Sequence, residues 1–127
     1  MKKRLLLGVL CLGLATGAVA QDATLGQGGV LRGLDKVNGN LTDIELNNGA
    51  SAEFGRLKVT LEECRFPTGN PSGDAWAYLN ILDSRDDEEL FAGWMVASSP
   101  ALNALDHPRY DVWVLRCRTE AVAGASE

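Results

Sequence analysis

The sequence is poor in the residue types that carry most catalytic and metal chemistry. Its 127 residues include one histidine, three cysteines and 6% aromatic residues. No Cys-x-x-Cys pair is present, and one histidine cannot complete a zinc site. The basic residues form no stripe, which disfavours binding to nucleic acid or to anionic lipid. We therefore expect no metal, no cofactor and no nucleic-acid partner.

The N-terminus has the three-part layout of a secretory signal peptide. Residues 1–4 form a basic head, residues 5–14 an apolar run, and Ala18-Val19-Ala20 a cleavage site of small residues. The run is shorter than the roughly 20 apolar residues that span a bilayer. We expect cleavage after Ala20, export and no transmembrane segment. Loss of residues 1–20 would leave nine basic against 17 acidic residues, a net charge of −8.

The cysteines predict one disulfide. Cys11 lies in the signal peptide, and Leu10 before it is not the small residue that a lipoprotein anchor needs. Cys64 and Cys117 remain in the exported chain. Two cysteines in an exported domain of this size are typical of a structural bridge, with a redox pair or metal site as the alternative.

The rest of the chain predicts a single all-β domain over residues 30–118, between a flexible leader at 21–29 and a flexible tail at 119–127. We expect a small barrel or sandwich of about six mostly antiparallel strands, at residues 30–37, 41–46, 52–66, 75–82, 90–97 and 110–117. A flip of the apolar parity predicts a β-bulge near Glu62-Glu63. Ser99 and Pro100 predict a short helical turn before the last strand.

The last three predicted strands are apolar on both parities. Such strands are covered on both faces or leave one face for a partner. Aromatic residues on strands usually belong to a core, and we expect Trp94 and Trp113 to pack together under the turn. The alternative is an exposed platform for a glycan such as peptidoglycan, at Trp76 and Tyr78.

A hydrolase is the less favoured possibility. His107 is the one residue suited to acid–base chemistry near pH 7, and Asp111 with Ser98 or Ser99 could complete a nucleophilic set. Capping of the turn explains the serines, and Pro108 after His107 marks the end of the turn. A structural role is therefore preferred for His107.

Three segments resemble an exported bacterial family, found mainly in alphaproteobacteria and catalogued as domain of unknown function 2155. They are residues 90–117, residues 34–39, and residues 54–57 leading to Cys64. The resemblance spans about residues 30–118, and the loop at 67–73 departs from the family pattern. It implies a Gram-negative periplasm and supplies no catalytic residue and no ligand.

The polar segment before the last strand is the predicted recognition surface. It holds Asp106, His107, Arg109 and Tyr110, and Arg and Tyr often anchor interfaces. Pairing of Arg109 with a nearby carboxylate is the structural alternative. The expected function is a non-enzymatic binding or assembly module of the cell envelope, with an envelope protein or a glycan as partner.

Overall fold

The computed structural model describes residues 22–120, which form eight antiparallel strands in two packed sheets. The strands are β1 (Ala23–Leu25), β2 (Gly28–Asp35), β3 (Leu41–Asn47), β4 (Ser51–Phe54), β5 (Leu57–Pro67), β6 (Trp76–Asp83), β7 (Glu89–Val96) and β8 (Tyr110–Arg118). The predicted all-β class is confirmed. The expected signal peptide and residues 121–127 of the expected tail lie outside the described residues.

The five-stranded sheet has the order β1-β5-β6-β7, and β4 pairs with β5 beside β1. The second sheet has the order β3-β2-β8. The chain passes between the sheets at Gly26 and Gln27, whose N–H groups donate to the carbonyls of Cys64 and Arg118, both at 2.8 Å. These bonds tie β5 of one sheet to β8 of the other.

The segment expected to be a flexible leader contains ordered structure. Residues 23–25 pair with residues 65–67 of β5, and Gly28 and Gly29 begin β2. Packing requires glycine at position 28, because a Cβ there would collide with the carbonyl of Leu46. Glycine at this position permits close approach of two backbones.

The single strand expected over residues 52–66 is wrong: the structure has two strands there. β4 and β5 form a hairpin in which Phe54 faces Leu57 across a two-residue turn. Gly55, the first turn residue, has a φ of +57°. Tight hairpins need positive φ at such positions, and glycine adopts it without steric cost.

The predicted bulge is confirmed and explains the disulfide. The β5–β6 register shifts between Leu61 and Glu63, so Leu61 and Cys64 are both buried although they differ in parity. Cys64 then faces the second sheet, where it is bonded to Cys117 with a Cα–Cα distance of 5.6 Å. The predicted disulfide is therefore confirmed, and it joins the two sheets through their core.

The predicted helical turn at residues 99–105 is absent, and non-helical turns replace it. The segment is held by groups outside it. The Ser98 hydroxyl donates to Asp74 at 2.9 Å, and the Asn103 amide donates to the Trp94 carbonyl at 3.0 Å. Leu105 is buried in the core. These tertiary contacts outweigh a weak local capping signal.

The core lies between the sheets, and its largest fully buried side chains come from β2, β5, β6, β7 and β8. They include Leu31, Leu57, Leu61, Leu79, Ile81, Met95 and Val114. Along β6 buried residues alternate with half-buried ones, so the outer face of this apolar strand has no covering layer. Across residues 22–120 no helix is long and apolar enough to cross a membrane.

Candidate functional site

The loop before β8 packs against the turn between β2 and β3. The guanidinium of Arg109 lies 3.0 Å from the Asp35 carboxylate, and the backbone N–H of Lys36 donates to the Arg109 carbonyl at 2.8 Å. The Lys36 ammonium donates to the His107 carbonyl at 2.6 Å. These contacts hold the predicted recognition segment against the turn that joins β2 to β3.

Asp35 is almost fully buried, at 9% exposure, and its carboxylate is surrounded by donors. Besides Arg109, it accepts the Val37 N–H at 3.0 Å and the Asn38 side-chain amide at 3.3 Å. The Arg109 hydrogen bonds lower the pKa of Asp35 below its usual value, with the backbone donors adding to the effect. The carboxylate is thus a structural anchor for two loops.

His107 stabilises its own loop. Its Nδ1 accepts the backbone N–H groups of Arg109 at 3.0 Å and of Tyr110 at 3.1 Å. A nitrogen that accepts two hydrogen bonds carries no proton, so the ring proton lies on Nε2. The ring also packs against Tyr110, with centroids 5.2 Å apart. Asp106 is exposed at the start of the same loop.

Tyr110 lies in the core, at 3% exposure. Its ring meets Phe54 edge-on at 5.5 Å, and its hydroxyl accepts the N–H of Arg56 at 3.3 Å. The Arg109 guanidinium lies over the ring, 5.3 Å from its centroid. We call Asp35, His107, Arg109 and Tyr110, together with the Gly55 turn, the polar end of the domain.

The three segments that carried the family resemblance therefore meet at the polar end. Residues 34–39 supply Asp35, residues 54–57 supply the turn under Tyr110, and residues 106–110 supply the rest. Only the fold brings them together, because the residues lie far apart in the chain. A partner-binding role for Asp106, His107, Arg109 and Tyr110 stays a prediction.

The β6–β7 hairpin adds a second buried carboxylate next to this turn. Asp83 is 6% exposed, and Arg85 lies 2.7 Å from it. The Arg85 side-chain hydrogen bonds and its N–H lower the pKa of Asp83 to about 2. The Ser84 hydroxyl donates to the Arg56 carbonyl at 2.9 Å, which fixes this hairpin to the β4–β5 turn.

The hydrogen bonds of the proposed hydrolase residues lead away from one another. Ser98 is bonded to Asp74 through its hydroxyl and its N–H, and Ser99 continues the turn through its carbonyl. His107 Nδ1 accepts the backbone N–H groups of Arg109 and Tyr110. Asp111 lies on the outer face of β8. The described residues thus show no hydrogen-bonded catalytic set among these side chains.

The outer face of the five-stranded sheet carries three aromatic side chains. Tyr78 on β6 is paired with Trp94 on β7, and their rings meet edge-on at 5.4 Å. Trp76 lies two residues from Tyr78 on the same face, and Glu63 and Arg65 lie beside them on β5. Trp94 is 40% exposed. We call Trp76, Tyr78 and Trp94 the aromatic face.

This arrangement corrects the expected core role of the tryptophans. Trp94 packs on Tyr78 rather than on Trp113, which lies on the outer face of the other sheet opposite Arg32. All three tryptophans are at least partly exposed. The strands that carry Trp76 and Trp94 are apolar on both sides, and such strands either are covered on both faces or leave one face open.

No group of three or more His, Cys, Asp or Glu side chains within residues 22–120 is placed to hold a metal ion. The clustered polar groups of the polar end bind one another instead. Within the described residues, the domain thus offers a polar end whose side chains bond mainly to their own chain, a partly exposed aromatic face and no catalytic arrangement. Those features define a small disulfide-bridged β-sandwich domain.

The chain belongs to the family described as "uncharacterized protein conserved in bacteria" (DUF2155), whose profile matches residues 29–117. It is also similar to an uncharacterized protein of Rickettsia prowazekii (strain Madrid E), with 30% identity over 92 residues. That match covers 70% of this chain and 59% of the relative. The chain therefore spans less than two thirds of the relative's length. No solved structure matches the chain significantly.

Proposed function

We propose that the protein is an exported, non-enzymatic binding module of the bacterial cell envelope that holds a glycan chain on its aromatic face. The observation that carries the proposal is the row formed by Trp76, Tyr78 and Trp94 on an uncovered sheet. Trp94 is 40% exposed, and Trp76 and Tyr78 beside it are half-buried; contiguous apolar patches of this kind mark interaction surfaces.

The chemistry of the face suits sugar rings. The face of an aromatic ring is electron-rich, and the C–H bonds on the flat side of a sugar are weakly positive. The edge-on packing of Tyr78 against Trp94 holds the two rings in fixed positions. A preformed site of this kind loses little conformational entropy on binding.

Polar side chains border the rings and can meet sugar hydroxyls. Arg65 and Glu63 form an ion pair at 2.9 Å on the neighbouring strand, and the Asn80 amide bonds Glu89 at 3.1 Å. Aromatic surfaces bordered by polar groups are typical of sites that bind amphipathic ligands. The border therefore supports a glycan over a purely apolar partner.

Export to the periplasm is part of the proposal. The signal peptide expected at residues 1–20 lies outside the described residues, and the buried disulfide supports an oxidising compartment. Peptidoglycan is the glycan that such a location favours. An envelope protein seated on the same face is the second possible partner.

Co-sedimentation with purified peptidoglycan tests the proposal. The protein, purified after export from a host periplasm, should pellet with the polymer. Trp94→Ala and Tyr78→Ala should each weaken the affinity for peptidoglycan about fivefold, because an aromatic contact contributes about 1 kcal/mol. Leu41→Ala is the matched control, since Leu41 is 58% exposed on the other sheet.

The control variant should pellet like the unmodified protein. Equal pelleting of all three variants, or no pelleting of the unmodified protein, contradicts glycan binding at this face. If the unmodified protein captures an envelope protein, Trp94→Ala does not, and neither pellets with peptidoglycan, the aromatic face binds a protein partner instead.

A further inference from the structure

We infer that the opposite side of the domain holds a separate binding site, a pocket for the ammonium group of a lysine side chain on a peptide or protein partner. A cavity of about 320 Å³ lies between the turns before β8 and the outer face of β8. Its lining residues are Pro100, Ala101, Ala104, Asp111 and Trp113. This site goes beyond the proposed function and shares no residue with the aromatic face.

Asp111 supplies the charge. It is partly buried, and its carboxylate makes no hydrogen bond or ion pair with another residue in the part of the chain that the structure describes. Its neighbour across the sheet is Leu34, which in turn faces Leu41 on β3. A carboxylate among apolar neighbours exerts a stronger field than one in water. An unpaired charge in such a place favours a cationic ligand.

Trp113 supplies the second half of the site. It lies two residues from Asp111 on the same strand, so the two side chains point to the same face, about 7 Å apart along the strand. An ammonium group between them can contact the carboxylate and the indole face together. Both the ion pair and the cation–π contact favour the ligand.

The remaining wall fits the stem of a lysine side chain. Pro100, Ala101 and Ala104 are apolar and have no charged group, and lysine buries its methylene stem on such surfaces while its ammonium stays polar. A basic residue of the same sheet, Arg32, is paired with Trp113. Its guanidinium binds Asp43 through two hydrogen bonds, at 2.7 and 3.2 Å, so its charge is compensated.

Peptide titration followed by NMR tests the pocket. The exported protein is labelled with ¹⁵N, and the indole N–H signal of Trp113 is assigned with a Trp113→Phe variant. The probe is Ac-Gly-Lys-Gly-NH₂, and the same peptide with norleucine is its uncharged match. The lysine peptide should shift the Trp113 signal and bind about tenfold more tightly than the norleucine peptide.

Asp111→Asn should lower the preference for the lysine peptide to about threefold, since it deletes the charge of the side chain but leaves the cation–π contact with Trp113. Glu53→Gln is the matched control, because it deletes a carboxylate charge in the same way, and Glu53 is exposed on β4 and does not line the cavity. Thermal melting confirms that both variants are folded. Equal binding of the two peptides, an unshifted Trp113 signal, or the same loss in both variants would overturn the proposal.

Discussion

The polar end and the aromatic face of this domain differ in how their functional groups are satisfied. At the polar end, Asp35, His107 and Tyr110 are bonded to their own chain at nearly every polar atom. On the aromatic face, Tyr78 and Trp94 touch each other and otherwise face outward. The polar groups of the polar end therefore stabilise the fold, whereas the rings of the aromatic face remain accessible to a ligand.

Polar detail in the sequence and an open surface in the structure occur in different parts of this domain. The segment with the most polar detail, residues 106–110, closes the end of the sandwich by joining β8 to the β2–β3 turn. The segments that looked like core supply the open surface. Polar residues in a loop can therefore either stabilise the fold or bind a partner, and only their contacts in the structure distinguish the two roles.

The largest effect is expected from removing the disulfide, which supports both regions by joining the sheets. Replacement of Cys64 and Cys117 by serine should lower the free energy of unfolding by about 4 kcal/mol, because a long loop is no longer closed in the unfolded chain. Urea unfolding measures the loss. An unchanged midpoint would show that the sheets hold together without the bridge.

The polar end should be sensitive to small additions where backbones and rings meet. A Cβ at Gly55 would collide with the ring and hydroxyl of Tyr110, whereas a Cβ at Gly39 would meet nothing. Both glycines have positive φ, +57° and +76°, so each alanine variant suffers a backbone cost of about 1 kcal/mol. Gly55→Ala should lose at least about 1 kcal/mol more, through displacement of Tyr110.

Thermal or urea unfolding of the two variants isolates the contact, since the backbone term is common to both. Equal destabilisation would mean that Tyr110 can move without cost. The polar end would then be less rigid than its hydrogen bonds indicate.

The ion pair of the β6–β7 hairpin makes stability depend on pH. The pKa of Asp83 falls from 3.8 to about 2 in the folded protein. The ionised carboxylate thus stabilises the fold above about pH 4, and this contribution is lost as the pH drops towards 2. Arg85→Ala removes the main cause of the shift. Its stability difference from the unmodified protein should be present at pH 7 and shrink below pH 4, as measured by urea unfolding.

Most of the fold was accessible from the sequence because its signals are local. The parity flip near Glu62-Glu63 depends only on neighbouring residues, and the bulge occurs as predicted. Strands likewise occupy the predicted ranges 41–46 and 110–117. The errors have non-local causes. Gly55 alone does not predict the β4–β5 hairpin. The predicted helical turn is absent because the Ser98 hydroxyl donates to Asp74, which lies just before β6.

The candidate sites were less accessible for the same reason. No local pattern shows that Asp35 meets Arg109, a contact between residues 74 positions apart. Nor does composition tell whether the outer side of an apolar strand such as β6 is covered by another layer. Burial of Trp76 and Trp94 depended on the sheet order, which the sequence does not specify.

A paired measurement on Trp94→Ala and Arg109→Ala separates binding at the aromatic face from stabilisation at the polar end. Each variant is assayed for peptidoglycan co-sedimentation and for its melting temperature. Trp94→Ala should bind about fivefold more weakly with little change in melting temperature, since Trp94 is 40% exposed and lies outside the core. Arg109→Ala should melt lower, because it leaves Asp35 buried without its cation, and its folded fraction should bind normally. The reverse pattern, with binding lost in a stable Arg109→Ala protein and retained in Trp94→Ala, would contradict the account.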